Sequence, residues 1–256
     1  GRNYIVYGND EIWITELNED LTAPKKDGLH RLLVSDHKNP ELGYEGSHIQ
    51  KINGYYYIFL VHSLRDRWMR TEACFYSDSL EGEFTGGDVL CDDRGYCGQG
   101  VAQGGIVDTP DGKWYAMLFQ DSGAVGRIPI LLPVTWKDHF PFFGQNGHVP
   151  EEIEVHSTRP GYIYQPLVGS DDFCNGLLPR WQFNHDPDPR YYHLDALQGT
   201  YTITTREVCT ELTQAVNTLT QRMSYPSCAA EVTVDASALK EGDVAGLCAL
   251  QSCYAA

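Results

Sequence analysis

Glu45 is the residue of this chain best placed to do chemistry. It stands in the run Tyr44-Glu45-Gly46-Ser47-His48, just ahead of a strand-like segment, where a carboxyl can give or take a proton. Arg65, Arg67, Trp68, Arg70, Asp121 and Arg127 are its candidate companions. A guanidinium offers two parallel N–H donors that match neighbouring hydroxyls, and an indole offers a flat apolar face. An acid, several guanidiniums and an aromatic face around one pocket are equipment for gripping a sugar. Each residue also has a plainer explanation. A glutamate before a strand is ordinarily just solvated, and Arg127 with Asp121 could form a simple surface ion pair. Trp68 could be a packed loop aromatic, and a lone histidine such as His48 is more often structural. The choice rests on whether the fold brings these residues together.

The elements that must do so are strands. Asn53-Gly54 is a strong hairpin signal, because a type I′ turn needs positive φ at both central residues. It predicts a short strand over about 46–52 and a longer aromatic and β-branched one over 55–61. The pattern recurs. Gly1 to Gly8 followed by 11–17, Asn53 to Phe59 followed by 72–77, and Asp111 to Met117 followed by 127–134 each run turn glycine, aromatic strand, connection, strand. The glycines at 1, 54 and 112 lie 53 and 58 residues apart. A repeat of about fifty residues built of strands reads as a propeller blade; the alternative is a meandering sandwich whose segments match by accident.

Propellers close with about four to eight blades, and three repeats are visible, the first without the strand that should precede its glycine. The expectation is an internal fragment of a larger protein. Blade geometry places the start of each inner strand, and each connection from second to third strand, at one mouth. That predicts convergence of Glu45, the loops at 62–70 and 120–127, and the segment 91–101 leading into the next inner strand.

From 138 to about 169 the periodicity fails, and a second pattern begins at Ser170-Asp171-Asp172-Phe173. Runs at 201–205 and 230–235 alternate with period two, 245–254 reads as a further strand, and turn signals at 186–189 and 241–243 separate them, as in a β-sandwich. The predicted organisation is all-β: blades over 1–145, a linker over 146–169, and a sandwich over 170–256 that ends unfinished.

Composition narrows the function classes. A net charge of −16 argues against a nucleic-acid surface, and no apolar run approaches the roughly 20 residues of a membrane helix. Eight cysteines without a Cys-x-x-Cys pair read as reduced, packed thiols, which favours a cytoplasmic setting over a secreted one. Oligomeric state is not legible.

Residues 44–57, Tyr-Glu-Gly-Ser-His-Ile-Gln-Lys-Ile-Asn-Gly-Tyr-Tyr-Tyr, resemble the Glu-Gly-Pro-His-x-x-Lys-x-x-Gly-Tyr-Tyr-Tyr signature of family 43 glycoside hydrolases. The resemblance continues through 103–115, 123–129 and 133–136, and the segment from Ser170 through Arg222 resembles the sandwich that follows the propeller in the xylosidase-type branch. It implies a five-bladed propeller, here partial, and inverting hydrolysis by two carboxyl groups flanking the glycosidic bond. It makes Glu45 the general acid, puts an aspartate base and a tuning aspartate in blades ahead of Gly1, and makes Arg127 a sugar ligand; Arg70 and Trp68 at the predicted mouth and His48 in the glutamate motif are further candidate substrate contacts. Ser47 stands where the signature has proline. Many relatives carry a channel histidine tied to a calcium or water site; Ala102 and Gln103 stand in that place, so no metal or other cofactor is expected. The implied activity is exo-cleavage of xylo- or arabino-configured oligosaccharides by the complete protein. The rivals are a sugar-binding propeller without catalysis and a propeller serving as a protein-interaction platform.

Overall fold

The computed structural model describes residues 1–184, 186–224, 227–251 and 254–255. It divides into two compact units, Gly1–His156 and Ser157–Ala256, and its regular elements are strands apart from two single 3₁₀ turns.

The first unit contains three antiparallel sheets in chain order. β1 (Asn3–Asn9), β2 (Glu11–Leu17) and β3 (His30–Ser35) form the first. β4 (Glu45–Ile52), β5 (Tyr55–Ser63), β6 (Arg70–Ser77) and β7 (Thr85–Leu90) form the second. β8 (Ala102–Asp108), β9 (Trp114–Asp121), β10 (Arg127–Lys137) and β11 (Phe140–Phe143) form the third. Each four-stranded sheet is an up-and-down meander, which is the form of a propeller blade.

The aromatic strand β5 explains how blades stack. It is buried on both faces, so its residues divide by parity. Tyr57 and Phe59 join Cys74, Ile106, Leu118, Leu132 and Phe143 in the core facing the third sheet. Ile58 and Leu60 join Ile12, Ile14, Leu33, Leu80 and Phe84 in the core facing the first. The turn expected at Asn53-Gly54 is present, with φ of 49° and 92° and Ile52 opposite Tyr55.

β4 and β8 carry the same irregularity near their starts. The register slips between Glu45 and His48 in one and between Ala102 and Gly105 in the other. Gly46 and Gln103 hold matching places in these bulges, with φ of 63° and 66°. A bulge leaves the bend and turns a side chain out of the regular pleat, and here it sets the direction of Glu45.

The second unit contains short antiparallel pairs: β12 (Gln182–Phe183) with β15 (Leu219–Thr220), β13 (Tyr192–Asp195) with β14 (Thr200–Ile203), and β16 (Leu250–Gln251) with β17 (Tyr254–Ala255). Trp181, Phe173, Tyr201, Tyr192 and Phe183 form a chain of ring contacts in that order, the first pair stacked and the rest tilted. Two sequence expectations need correction. The run 230–235 alternates but forms no strand, and 245–249 are irregular, with strand structure starting only at Leu250. Period-two alternation marks a segment able to pair; a ladder also needs a partner strand beside it. Residues 252 and 253 of that run lie outside the described residues.

The thiols also differ from expectation. Cys74 alone is buried among the described cysteines; Cys91, Cys97, Cys174, Cys209, Cys228 and Cys248 are free and exposed. They sit in loops and turns rather than on strand faces. Cys253 lies outside the described residues.

Candidate functional site

The starts of β4, β6 and β8 and the ends of β5, β7 and β9 share one rim of the second and third blades. Across the second blade, Glu45 pairs with Val61, Val61 with Glu72, and Glu72 with Leu90. Arg70 and Glu72, two apart on β6, project on the face that carries Cys74 toward the third blade.

There they meet the end of β9. Arg70, 4% exposed, places Nη1 2.8 Å from Oδ2 of Asp121. Arg127 places Nε 3.3 Å from the other oxygen, Oδ1, of the same aspartate. Both guanidiniums lie over the ring of Phe119, 4.7 Å and 4.5 Å from its centroid. Burial lowers the Arg70 pKa, and Asp121 pulls it back up; a guanidinium remains charged regardless. Each oxygen of Asp121 thus faces a different guanidinium.

Glu45 is partly buried and lies within electrostatic reach of Arg70. Its Oε2 accepts a hydrogen bond of 3.1 Å from Nδ2 of Asn9, at the end of β1. Two features favour glycine at position 46. Its φ favours glycine, and a Cβ there would come within 2.5 Å of Nε2 of Gln103.

Gln103 is anchored from below. Its backbone N–H donates to Oε2 of Glu72 at 2.6 Å. Glu72 is 0% exposed, and its Oε1 has no hydrogen-bond partner among the described residues. Burial pushes its carboxyl well above the usual range, against the smaller opposing pull of the Gln103 N–H and Arg70. Glu72 therefore holds its proton more tightly than an exposed carboxyl does. It holds the bulge whose side chain covers Gly46.

The other predicted residues fall as follows. Trp68 is 39% exposed, beside Gly98, whose carbonyl accepts the Arg70 backbone N–H at 3.0 Å. It therefore stands on the same rim. His48 is exposed on β4 and faces Gly105 of β8, between the inner strands. Arg65 does not join the cluster. It pairs with Asp36, which also faces His62, and His62 bonds Asp88 through Nε2 at 2.8 Å. Arg67 pairs with its neighbour Asp66 in the open.

Sequence reasoning missed Phe119, Asn9 and Glu72. The first two sit on faces that strand alternation could have paired with Asp121 and Glu45. Glu72 reads as an ordinary polar residue until its burial is known. Tyr96, 44% exposed and near Gly123, adds a second rim aromatic.

Residues 1–141 match the family model described as glycosyl hydrolases family 43, and residues 170–256 match the beta xylosidase C-terminal concanavalin A-like domain. The chain is 27% identical over 166 residues to a putative beta-xylosidase of Xylanibacter ruminicola, covering 62% of this chain and 31% of that protein. It is 26% identical over 170 residues to the non-reducing end alpha-L-arabinofuranosidase BoGH43B of Bacteroides ovatus, covering 60% of this chain and 31% of that one. Among solved structures, a bifunctional GH43-CE protein of Bacteroides eggerthii superposes with a TM-score of 0.74 at 40% identity, over 88% of this chain and 29% of that one. The chain thus spans 31% of the length of each of these two curated relatives.

Proposed function

Because the chain belongs to glycoside hydrolase family 43, we propose that it carries the proton-donating and sugar-gripping side of an inverting exo-glycosidase for xylo- or arabino-configured oligosaccharides. The observation that carries this reading is the Arg70–Asp121–Arg127 cluster on the rim where Glu45 opens β4, within electrostatic reach of Arg70.

Glu45 is the general acid. Asn9 donates to Oε2, so Oε2 serves as the acceptor oxygen and the proton to be given up belongs on Oε1. As the glycosidic bond lengthens, that proton passes to the departing oxygen, which leaves as an alcohol rather than an alkoxide. Arg127, exposed at the rim, holds hydroxyls of the sugar with the outer edge of its guanidinium. Trp68 supplies an apolar face for the ring. Asp121 is not the base, since both its oxygens face guanidiniums. The water-activating carboxylate is not assigned among the residues placed here.

The test is the stereochemistry of hydrolysis by the natural-length protein. Proton NMR during cleavage of 4-nitrophenyl β-xyloside, whose only sugar product is the cleaved unit, should show α-xylose first, with the β anomer appearing only by mutarotation. β-Xylose as the first product would make the mechanism retaining and remove this assignment. Binding of xylobiose without turnover would replace it with the non-catalytic sugar-binding reading.

A further inference from the structure

We infer that Asp121 and Phe119 are positioning residues that hold the Arg127 guanidinium at the rim, so that its ion pair with Asp121 is the means of sugar recognition rather than an alternative to it. The inference rests on the sugar-binding reading of Arg127 given above.

The argument is one of donor geometry. A guanidinium has five N–H donors in a rigid plane. Asp121 faces Nε of Arg127, the donor nearest the backbone. No other ion pair or hydrogen bond engages Arg127 among the described residues, and its side chain is 62% exposed. The outer edge, with the paired Nη donors, is therefore free for a ligand. The plane is fixed a second time by Phe119, whose ring centroid lies 4.5 Å from the Arg127 guanidinium carbon. Phe119 and Asp121 are two apart on β9 and project on one face. One short strand segment thus supplies both the ring and the carboxylate.

Arg70 explains why the holder is stable. It is buried, takes the other Asp121 oxygen and covers the same ring. A buried cation needs a paired anion, so Asp121 is anchored by Arg70 from beneath and presents its remaining oxygen to Arg127. An exposed arginine left alone would lose much rotamer freedom on binding, and this holder removes part of that loss beforehand.

Such a device acts on substrate and transition state alike, so its loss should appear in KM. In the natural-length protein, Asp121→Asn should raise KM for 4-nitrophenyl xyloside about tenfold, about 1.4 kcal/mol, with kcat changed less than about twofold. Phe119→Leu should act in the same direction, and Phe119→Tyr, which keeps the ring, should restore KM. A second readout needs neither sugar nor activity. In ¹⁵N NMR spectra the Arg127 Nε–H should exchange slowly with solvent in the wild type and faster in Asp121→Asn. If Asp121→Asn does not fold, the Phe119 pair carries the same two measurements. Unchanged Nε–H exchange, or a fall in kcat at constant KM, overturns the inference. An inactive wild type would remove the hydrolase reading instead, and the exchange measurement would then decide the holder by itself.

Discussion

Replacing Glu72 by glutamine should make this protein more stable at neutral pH, by an amount that vanishes in acid. Glu72 is fully buried, its Oε2 accepts the Gln103 N–H, and its Oε1 has no hydrogen-bond partner among the described residues. Burial holds the folded-state pKa well above the ordinary glutamate value of 4.5, which approximates the unfolded chain. Between those two values the native state keeps a proton that the unfolded state has released. Stability therefore falls as pH rises across that window, by up to about 1.4 kcal/mol per pH unit. Below the unfolded value both states are protonated and the contribution is fully present. Glutamine keeps the carbonyl that accepts from Gln103 and has no proton to lose. Near pH 4 the variant should lie within about 1 kcal/mol of wild type. From there its relative stability should climb as pH rises, by at most about 1.4 kcal/mol per pH unit. Urea unfolding at pH 4, 5, 6 and 7, with equal m-values, gives the difference directly. A difference that stays flat with pH, or one that falls, would refute the raised pKa of Glu72.

Other perturbations follow from the same rim. Arg127→Lys loses the planar fork and should lower kcat/KM of the natural-length protein at least tenfold, about 1.4 kcal/mol; an unchanged value would leave Arg127 as a surface ion pair. Gly46→Ala puts a Cβ against Gln103 at a φ of 63° and should cost about 1–3 kcal/mol in thermal unfolding, with loss of activity beyond the loss of folded protein. Alkylation of native, unreduced protein should label the six exposed described cysteines, while Cys74 reacts only after unfolding; early labelling of Cys74 would contradict its place in the core.

The blades were legible because their signals are local. Asn53-Gly54 specifies its own turn, and the doubly buried β5 announces itself as an unbroken aromatic run. Of the predicted mouth, the structure joins Arg70, Asp121 and Arg127, with Glu45 close by, but sends Arg65 to Asp36. That division depends on which neighbour each long side chain reaches, and no spacing rule carries it. The role of Glu72 was hidden for a different reason: a carboxylate on a strand reads as solvated until the adjacent blade is seen to cover it. In the second unit, the run 230–235 had the right period but no partner strand among the described residues, and pairing is a property of two segments.

The general-acid role of Glu45 is tested most directly by how its loss depends on the leaving group. Glu45→Gln and wild-type protein of natural length would be compared on xylobiose and on 4-nitrophenyl xyloside. The xylose leaving group needs a proton, whereas 4-nitrophenolate departs readily without one. Xylobiose cleavage should therefore fall by about 10²-fold or more, and aryl xyloside cleavage by far less. Equal losses on the two substrates would contradict Glu45 as the proton donor.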